Sequence, residues 1–485
     1  MRRRDFISAG TVSALSSSRA QNVAAQRRPN VLFIFADQLR AQSVGCYGNP
    51  EVKTPHLDKL ASEGVLFRNT VANTPVCCPA RAIMLTGKYA HKNGMVANDL
   101  RLRESELTIA EVLSGEGYRT GFVGKWHLDG GQRMPGFIPP GPRRQGFDFW
   151  AANECSHLHF DTHYFRDTPD PIPIKKFEAE GWTDIGIEFL KKGKQDGRPF
   201  FLTIAMGPPH DPYAAPDEYM KMYDSSRLTM RPNWRRAAPN VPGPEQIAAY
   251  YAATTAVDDQ IGRLSRTLNQ LGMADDTIVL FSSDHGDMLG SHGLRLKRKP
   301  WEESIRIPGI LRYPRRVKAG QQTDTLFSHV DIAPTLLSLC GIKPPTGVQG
   351  NDLAPVALGE SRSGPDSAFF QIFGPYEGDG TEDGWRGVRT GKYMYARFRD
   401  KPWVLYDLEN DPYQAKNLAG ERAAAGIQAD MEKRLSWWME RTGDSWSYNW
   451  SHPVEDKGRL YRHRTFYTVD EYLKWAAQHP ELEPK

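Results

Sequence analysis

The stretch "NVLFIFADQ", residues 30–38, is an apolar run that stops on a carboxylate and a carboxamide. Seven residues without a charge, dominated by Val, Leu, Ile and Phe, read as a strand buried on both faces, the pattern of a parallel sheet covered by helices. Three more runs share this texture: "RTGFVG" (119–124), "PFFLTIAM" (199–206) and "TIVLFSS" (277–283). Between them, helical spacing recurs over 57–64, 107–115, 183–192 and 246–271, the last ending at Gly272. The alternation predicts an α/β fold, a large mostly parallel sheet flanked by helices.

In such sheets ligands gather beyond the carboxyl ends of the strands. The first run leads into Asp37 and Gln38, the second into Lys125, Trp126 and His127, the third into "GPPHDP" with His210, and the fourth into Asp284 and His285. One aspartate after a strand is usually a cap or turn residue. Polar groups after all four strands predict a shared site. Asp37, Gln38, Asp284 and His285 offer mainly oxygen donors, suited to a hard divalent cation. Arg81, Lys125, Lys297 and the histidines would leave room for an anion beside it.

With 485 residues the chain is long enough for one large domain and a smaller one. Lys and Arg number 62 against 58 Asp and Glu, so no basic excess marks a nucleic-acid partner. Residues 1–25 carry an arginine pair, a short weakly apolar stretch and a small-residue site near Ala20, in the order of a twin-arginine export signal. A basic disordered tail is the plainer alternative. No later stretch reaches the length of a membrane span, so an exported protein, periplasmic or extracellular, is expected after signal removal. The catalytic α/β domain is placed at 26–360. From 361 to 485 short aromatic strands, "SAFFQIF", "WRGVRTGKYMYARF" and "PWVLYDL", precede the helical "GIQADMEKRLSWWMERTG". They predict a small antiparallel sheet with one helix, then a tail. Two Pro-, Gly- and Arg-rich stretches, 129–148 and 212–244, read as surface loops, either functional or tolerated insertions.

Five cysteines, 46, 77, 78, 155 and 340, do not make a disulfide scaffold. In "TPVCCPARAIMLTGKY" (74–89), Pro79 suits the first turn of a helix and Gly87 its end. Cys77 then stands at a helix N-terminus, where amide donors and the dipole favour an anion. A thiol there has the setting of a low-pKa nucleophile. Sulfur is nevertheless a poor neighbour for an oxygen-ligated hard cation.

"CCPARAIMLTG" resembles the signature of the type I sulfatases of the alkaline phosphatase superfamily: Cys or Ser, any residue, Pro, a small residue, Arg, then a helix closing on Thr-Gly. Only Cys77 is two before Pro79 and four before Arg81. "FIFADQ" resembles the family's first metal motif, with Gln38 where many members carry a second Asp. "GKWHL" matches the Lys/His motif, "GPPHDPY" supplies His210, and "SSDHGDMLGSHG" supplies Asp284 and His285. "KRKPWEESIRIP" matches the late lysine motif and selects Lys297 over Arg295, Arg298 and Lys299, which read as a solvated basic face. "LYDLENDPYQAKNLA" (405–419) matches the C-terminal subdomain.

The resemblance implies that a maturation enzyme oxidises Cys77 to formylglycine, whose hydrate attacks the sulfur of a sulfate monoester through one hydroxyl and keeps the other to release sulfate. It implies Asp37, Gln38, position 77, Asp284 and His285 around one divalent cation, Ca²⁺ before Mg²⁺ or Mn²⁺. Arg81 would hold the site together, Lys125 and Lys297 the sulfate, His210 the leaving oxygen and His127 the second hydroxyl. A sulfated carbohydrate is the expected substrate. A phosphonate or phosphate ester hydrolase, and a non-catalytic carbohydrate-binding relative with unconverted Cys77, are the alternatives. His157, His159 and His163 in "CSHLHFDTH" read as loop histidines, with lining of the substrate pocket as the alternative; Asn98 and Asp99 are candidate substrate contacts, and Asp258 and Asp259 read as surface or helix-packing carboxylates.

Overall fold

Nine strands make the main sheet of the protein, seen in a computed structural model that describes residues 28–130, 135–373 and 384–446, with 454–456, 459–461 and 478. The expected export signal and most of the tail lie outside the described residues. In chain order the strands are β1 (Asn30–Asp37), β2 (Val65–Val71), β3 (Arg119–Lys125), β4 (Phe149–Asn153), β5 (Phe200–Pro209), β6 (Thr277–Ser283), β7 (Arg306–Ile307), β8 (Gly309–Arg312) and β9 (Gln321–Ser328). Their spatial order is β9-β2-β8-β6-β1-β5-β3-β4, with β7 paired to β2. β1 lies between β5 and β6, parallel to both, with Val31 opposite Phe201 on one side and Ile278 on the other. Only β7 and β8 run against the rest. The carboxyl ends of β1, β3, β5 and β6 therefore share one rim.

Alternate residues of β1 feed two cores. Leu32 and Ile34 join Leu57, Phe189 and Ile261 on one face. Val31, Phe33 and Phe35 join Ile83, Leu113 and Leu336 on the other. The helices responsible are α1 (Pro55–Ser62), α2 (Cys77–Thr86), α3 (Ile109–Gly115), α4 (Glu178–Asp196), α5 (Pro244–Gln270) and α6 (His329–Leu339). Of these α1, α4 and α5 cover the first face; α2, α3 and α6 cover the second. Asp258, in the middle of α5, is buried and accepts the backbone N–H groups of His56 (3.0 Å) and Leu57 (2.7 Å), satisfying free donors at the start of α1. It is a helix-packing carboxylate, as its place in the sequence implies.

The second sheet is antiparallel, in the order β10 (Ser367–Ile372), β11 (Trp385–Thr390), β12 (Tyr393–Arg397), β13 (Pro402–Asp407). Helix α7 (Ala425–Thr442) packs on it, ending at Gly443 with a φ of 73°. Phe370, Val388 and Trp438 belong to the same apolar cluster as Phe33 and Ile83. The small sheet is thus continuous in packing with one face of the large one.

The sequence understated several elements. α4 begins five residues before the expected 183 and runs four past 192. β2, β8, β9 and α6 were not anticipated. β9 opens on "QQTDT", polar and partly exposed, so it lacks the apolar run that identifies central strands. α6 contains Pro334, a residue that argues against a helix interior.

Candidate active site

α2 begins at Cys77 and stops at Gly87, whose φ of 63° lets the chain turn out of the helix. This brings the Cys77 thiol, buried at 2% exposure, to the rim where β1 and β6 end. Its sulfur lies 3.2 Å from His285 Nε2 and 3.9 Å from Asp37 Oδ1. His285 Nε2 is in turn 3.5 Å from Oδ1 of both Asp37 and Asp284. One atom from each of Asp37, Cys77, Asp284 and His285 can be chosen so that all lie within 4.8 Å of one another.

What orients these groups is a set of bonds on their far sides. Arg81, one helical turn after Cys77, sends Nη2 to Asp37 Oδ2 (3.1 Å) and Asp284 Oδ2 (3.0 Å), and Nε to Asp284 Oδ2 (3.2 Å). A further nitrogen of the fork donates to the Lys125 carbonyl. The planar guanidinium thereby ties α2 to β1, β3 and the end of β6. His285 donates Nδ1–H to the Gly286 carbonyl (3.0 Å), which leaves the Nε2 lone pair facing the cluster. The two carboxylates oppose each other: burial, then the Asp37 charge, push Asp284 above the usual range.

Two lysines flank the cluster. Lys125 Nζ donates to Asp37 Oδ2 at 2.7 Å, and Lys297 Nζ to Gln38 Oε1 at 2.6 Å. Lys297 is buried, and so is Lys299, contrary to the expected solvated basic face; Arg295 alone of that run is exposed. Burial by itself would raise the Cys77 pKa, but neighbouring positive charge, Lys297 first and then Lys125, outweighs it and holds the thiol well below its ordinary value. Gln38, at a φ of 72°, gives its amide group to Asp287 (2.7 Å) and Asp211 (3.2 Å) while its oxygen carries Lys297.

The histidines divide by their partners. His210 Nε2 accepts from Lys297 (2.8 Å), and its Nδ1 donates to the Asp211 carbonyl (2.6 Å). His127 has Nε2 3.0 Å from Asp99 Oδ1 and a buried Nδ1 without a nitrogen or oxygen hydrogen-bond partner among the described residues. Burial disfavours its protonation, yet the nearby thiols and Asp99 prevail and raise its basicity. The Asp99 loop is pinned to α2: Cys78 donates its N–H to Asn98 Oδ1 (2.9 Å), and Asp99 donates its N–H to the Cys78 sulfur (3.3 Å). Both Asp99 and His127 hold positive φ, 66° and 57°.

Sequence reasoning left out two residues that this arrangement uses. His159 is buried between Glu178 Oε1 (2.6 Å) and the His210 carbonyl (2.6 Å), so it positions His210 instead of lying free in a loop. Glu178 opens α4, ahead of the helix start expected from spacing. A histidine spaced two from another in a polar loop gives no sign of such anchoring.

Comparison with known proteins bears on these features together. The Sulfatase family model matches residues 29–342, well over half of the chain, and the model described as N-sulphoglucosamine sulphohydrolase, C-terminal, matches 290–441. The chain belongs to the type I sulfatase family of the alkaline phosphatase superfamily. This sulfatase is 38% identical over 424 residues to the ulvan-active sulfatase of Formosa agariphila, covering 86% of this chain and 82% of the relative. It is 27% identical over 495 residues to the N-acetylglucosamine-6-O-sulfatase of Bacteroides thetaiotaomicron, covering 84% and 86%. Among solved structures, the YidJ sulfatase of Bacteroides fragilis superposes with a TM-score of 0.79 at 33% identity, covering 86% of this chain and 97% of that one. Among the described residues no helix of this sulfatase is long and apolar enough to cross a membrane.

Proposed function

We propose that this sulfatase removes sulfate from a sulfated carbohydrate, with a formylglycine made from Cys77 by a maturation enzyme and with one divalent cation, Ca²⁺ before Mg²⁺ or Mn²⁺. The observation that carries the reading is the convergence of Asp37, Asp284, His285 and position 77. Two buried carboxylates, whose outer oxygens are taken by Arg81, turn their inner oxygens toward an imidazole lone pair. That donor set fits a hard cation, and the one misfit is the sulfur at 77. An oxygen in its place removes the misfit. Gln38 Oε1, shared with Lys297, is the further oxygen donor we assign to the ion. When bound, the cation would polarise sulfate and acidify a neighbouring hydroxyl, and formylglycine would supply that hydroxyl.

The remaining residues take roles that follow from their hydrogen bonds. Lys125 and Lys297 each keep an N–H beyond those spent on Asp37, Gln38 and the histidines, and these meet sulfate oxygens where charge develops. His210, with Lys297, delivers a proton to the departing alcohol oxygen, the Lys297 ammonium being the proton source of the pair. Asp99 holds His127 at Nε2, so Nδ1 is the nitrogen that exchanges a proton with a hydroxyl at position 77. Arg81 keeps both carboxylates in register. The carbohydrate assignment rests on likeness to proteins named for ulvan and for N-acetylglucosamine 6-sulfate. Export through the signal in residues 1–25, and the division into a catalytic domain (26–360) and a C-terminal subdomain (361–485), belong to the same reading.

The test is turnover by the full chain, co-produced with a formylglycine-generating enzyme. Hydrolysis of N-acetylglucosamine 6-sulfate or an aryl sulfate, lost on chelation and restored by Ca²⁺, is the expected result. Preferential cleavage of an aryl phosphonate would overturn it.

A further inference from the structure

His157 has no part in the chemistry described above, yet its ring is wedged between two residues that do. It stacks face to face on His210, centroids 4.3 Å apart and planes 9° from parallel. Its Nε2 lies 3.4 Å from Lys125 Nζ. An ammonium has protons to give and no lone pair, so Nε2 accepts and the ring proton resides on Nδ1. Nδ1 has no hydrogen-bond partner among the described residues, and the ring is partly exposed while Lys125 and His210 are buried. The loop around it is fixed at both ends. Ser156 Oγ accepts from the Leu158 N–H (3.1 Å) and Thr162 Oγ1 (3.3 Å), and His159 is clamped between Glu178 and the His210 carbonyl. A donor held this way meets a ligand without losing much freedom.

We propose that His157 is a specificity-determining residue, its Nδ1–H donating to an oxygen of the substrate alcohol adjacent to the sulfated position. This rests on the sulfate-ester reading above, because the stack on His210 sets the ring on the side from which the alcohol leaves. The acceptor class is a hydroxyl or ether oxygen one carbon away from the ester, as any sugar ring supplies.

Two aryl esters test this. 4-Nitrocatechol sulfate carries a hydroxyl beside the sulfated carbon and 4-nitrophenyl sulfate does not. With the matured full chain, His157→Ala should lower kcat/KM for both esters, but about tenfold further for the catechol ester, the scale of one hydrogen bond. His157→Asn places an amide N–H near the lost Nδ1–H and should restore the ratio of the two esters to within about threefold of the unaltered protein. An equal loss on both esters in His157→Ala would overturn the proposal, since a ring that merely packs on His210 affects every substrate alike. An unaltered protein that cleaves neither aryl sulfate nor N-acetylglucosamine 6-sulfate would instead overturn the underlying reading, and the proposal with it.

Discussion

Asp99 and His127 face each other from two positive-φ positions, and a shared hydrogen bond of 3.0 Å decides which imidazole nitrogen is left unprotonated. Loss of such an orienting partner typically costs about 10–100-fold in activity. Asp99→Ala is expected to lower kcat on that scale, with KM changed less than about threefold and with Asp99→Asn, which still accepts from Nε2–H, recovering most of the rate. Steady-state kinetics of the three proteins would check this; equal losses in both variants would count against a role in fixing the tautomer. Asn98 and Asp99 were visible in the sequence as polar residues of a loop. That one supports Cys78 and the other His127 depends on how the loop folds over α2. Residues such as Lys125 and His210 stand directly after apolar runs, so their convergence follows from strand direction and could be read in advance. His157 and His159 reach the site only through a loop path that no local pattern encodes.

Among elements, the junction of α5 with α1 makes a pH-dependent contribution to stability. Burial pushes the Asp258 carboxyl up to about 7, so within the fold it keeps its proton where an unfolded chain has lost it. The native state binds more protons between roughly pH 4 and 7, and stability must fall as pH rises through that window. Asp258→Asn cannot ionise. Its melting temperature should be flatter than that of the unaltered protein between about pH 4 and 7. Both backbone donors of His56 and Leu57 then compete for one amide oxygen, so the variant should also be about 1 kcal/mol less stable at the acid end. Thermal melts across that range decide it; parallel curves would refute the assignment. Central strands and long amphipathic helices were legible because one apolar pattern covers their whole length. β8 and β9 were not, since one is four residues long and the other half polar, and each is a strand by virtue of its partners, β6 and β2 for β8 and β2 for β9.

At the level of the whole molecule, the C-terminal sheet acts as a buttress for the segment that carries Lys297. Arg389 on β11 holds buried Glu302 through two bonds, 2.8 and 3.1 Å, and also reaches Asn69 on β2 (2.9 Å). Nearby, Trp385 donates to the Arg298 carbonyl (3.3 Å) and Trp301 to the Tyr406 hydroxyl (3.2 Å). Removing one partner of a buried ion pair costs up to about 3–5 kcal/mol, less where a second cation remains, as Arg306 does 3.9 Å from Glu302. Arg389→Gln should lower the melting temperature accordingly and, in the protein that remains folded, reduce kcat by loosening Lys297. Calorimetry paired with kinetics would separate the two effects; full activity at reduced stability would mean that the sheet supports the fold without steadying the site.

The account turns on position 77, whose side chain sits among two carboxylates, an imidazole and two lysines. Mass spectrometry of the peptide containing Cys77 and Cys78, on protein made with and without a formylglycine-generating enzyme and assayed in parallel, tests it most directly. An aldehyde at 77, a free thiol at 78, and sulfatase activity proportional to the converted fraction is the expected result. Full activity from protein in which both residues remain thiols would contradict it.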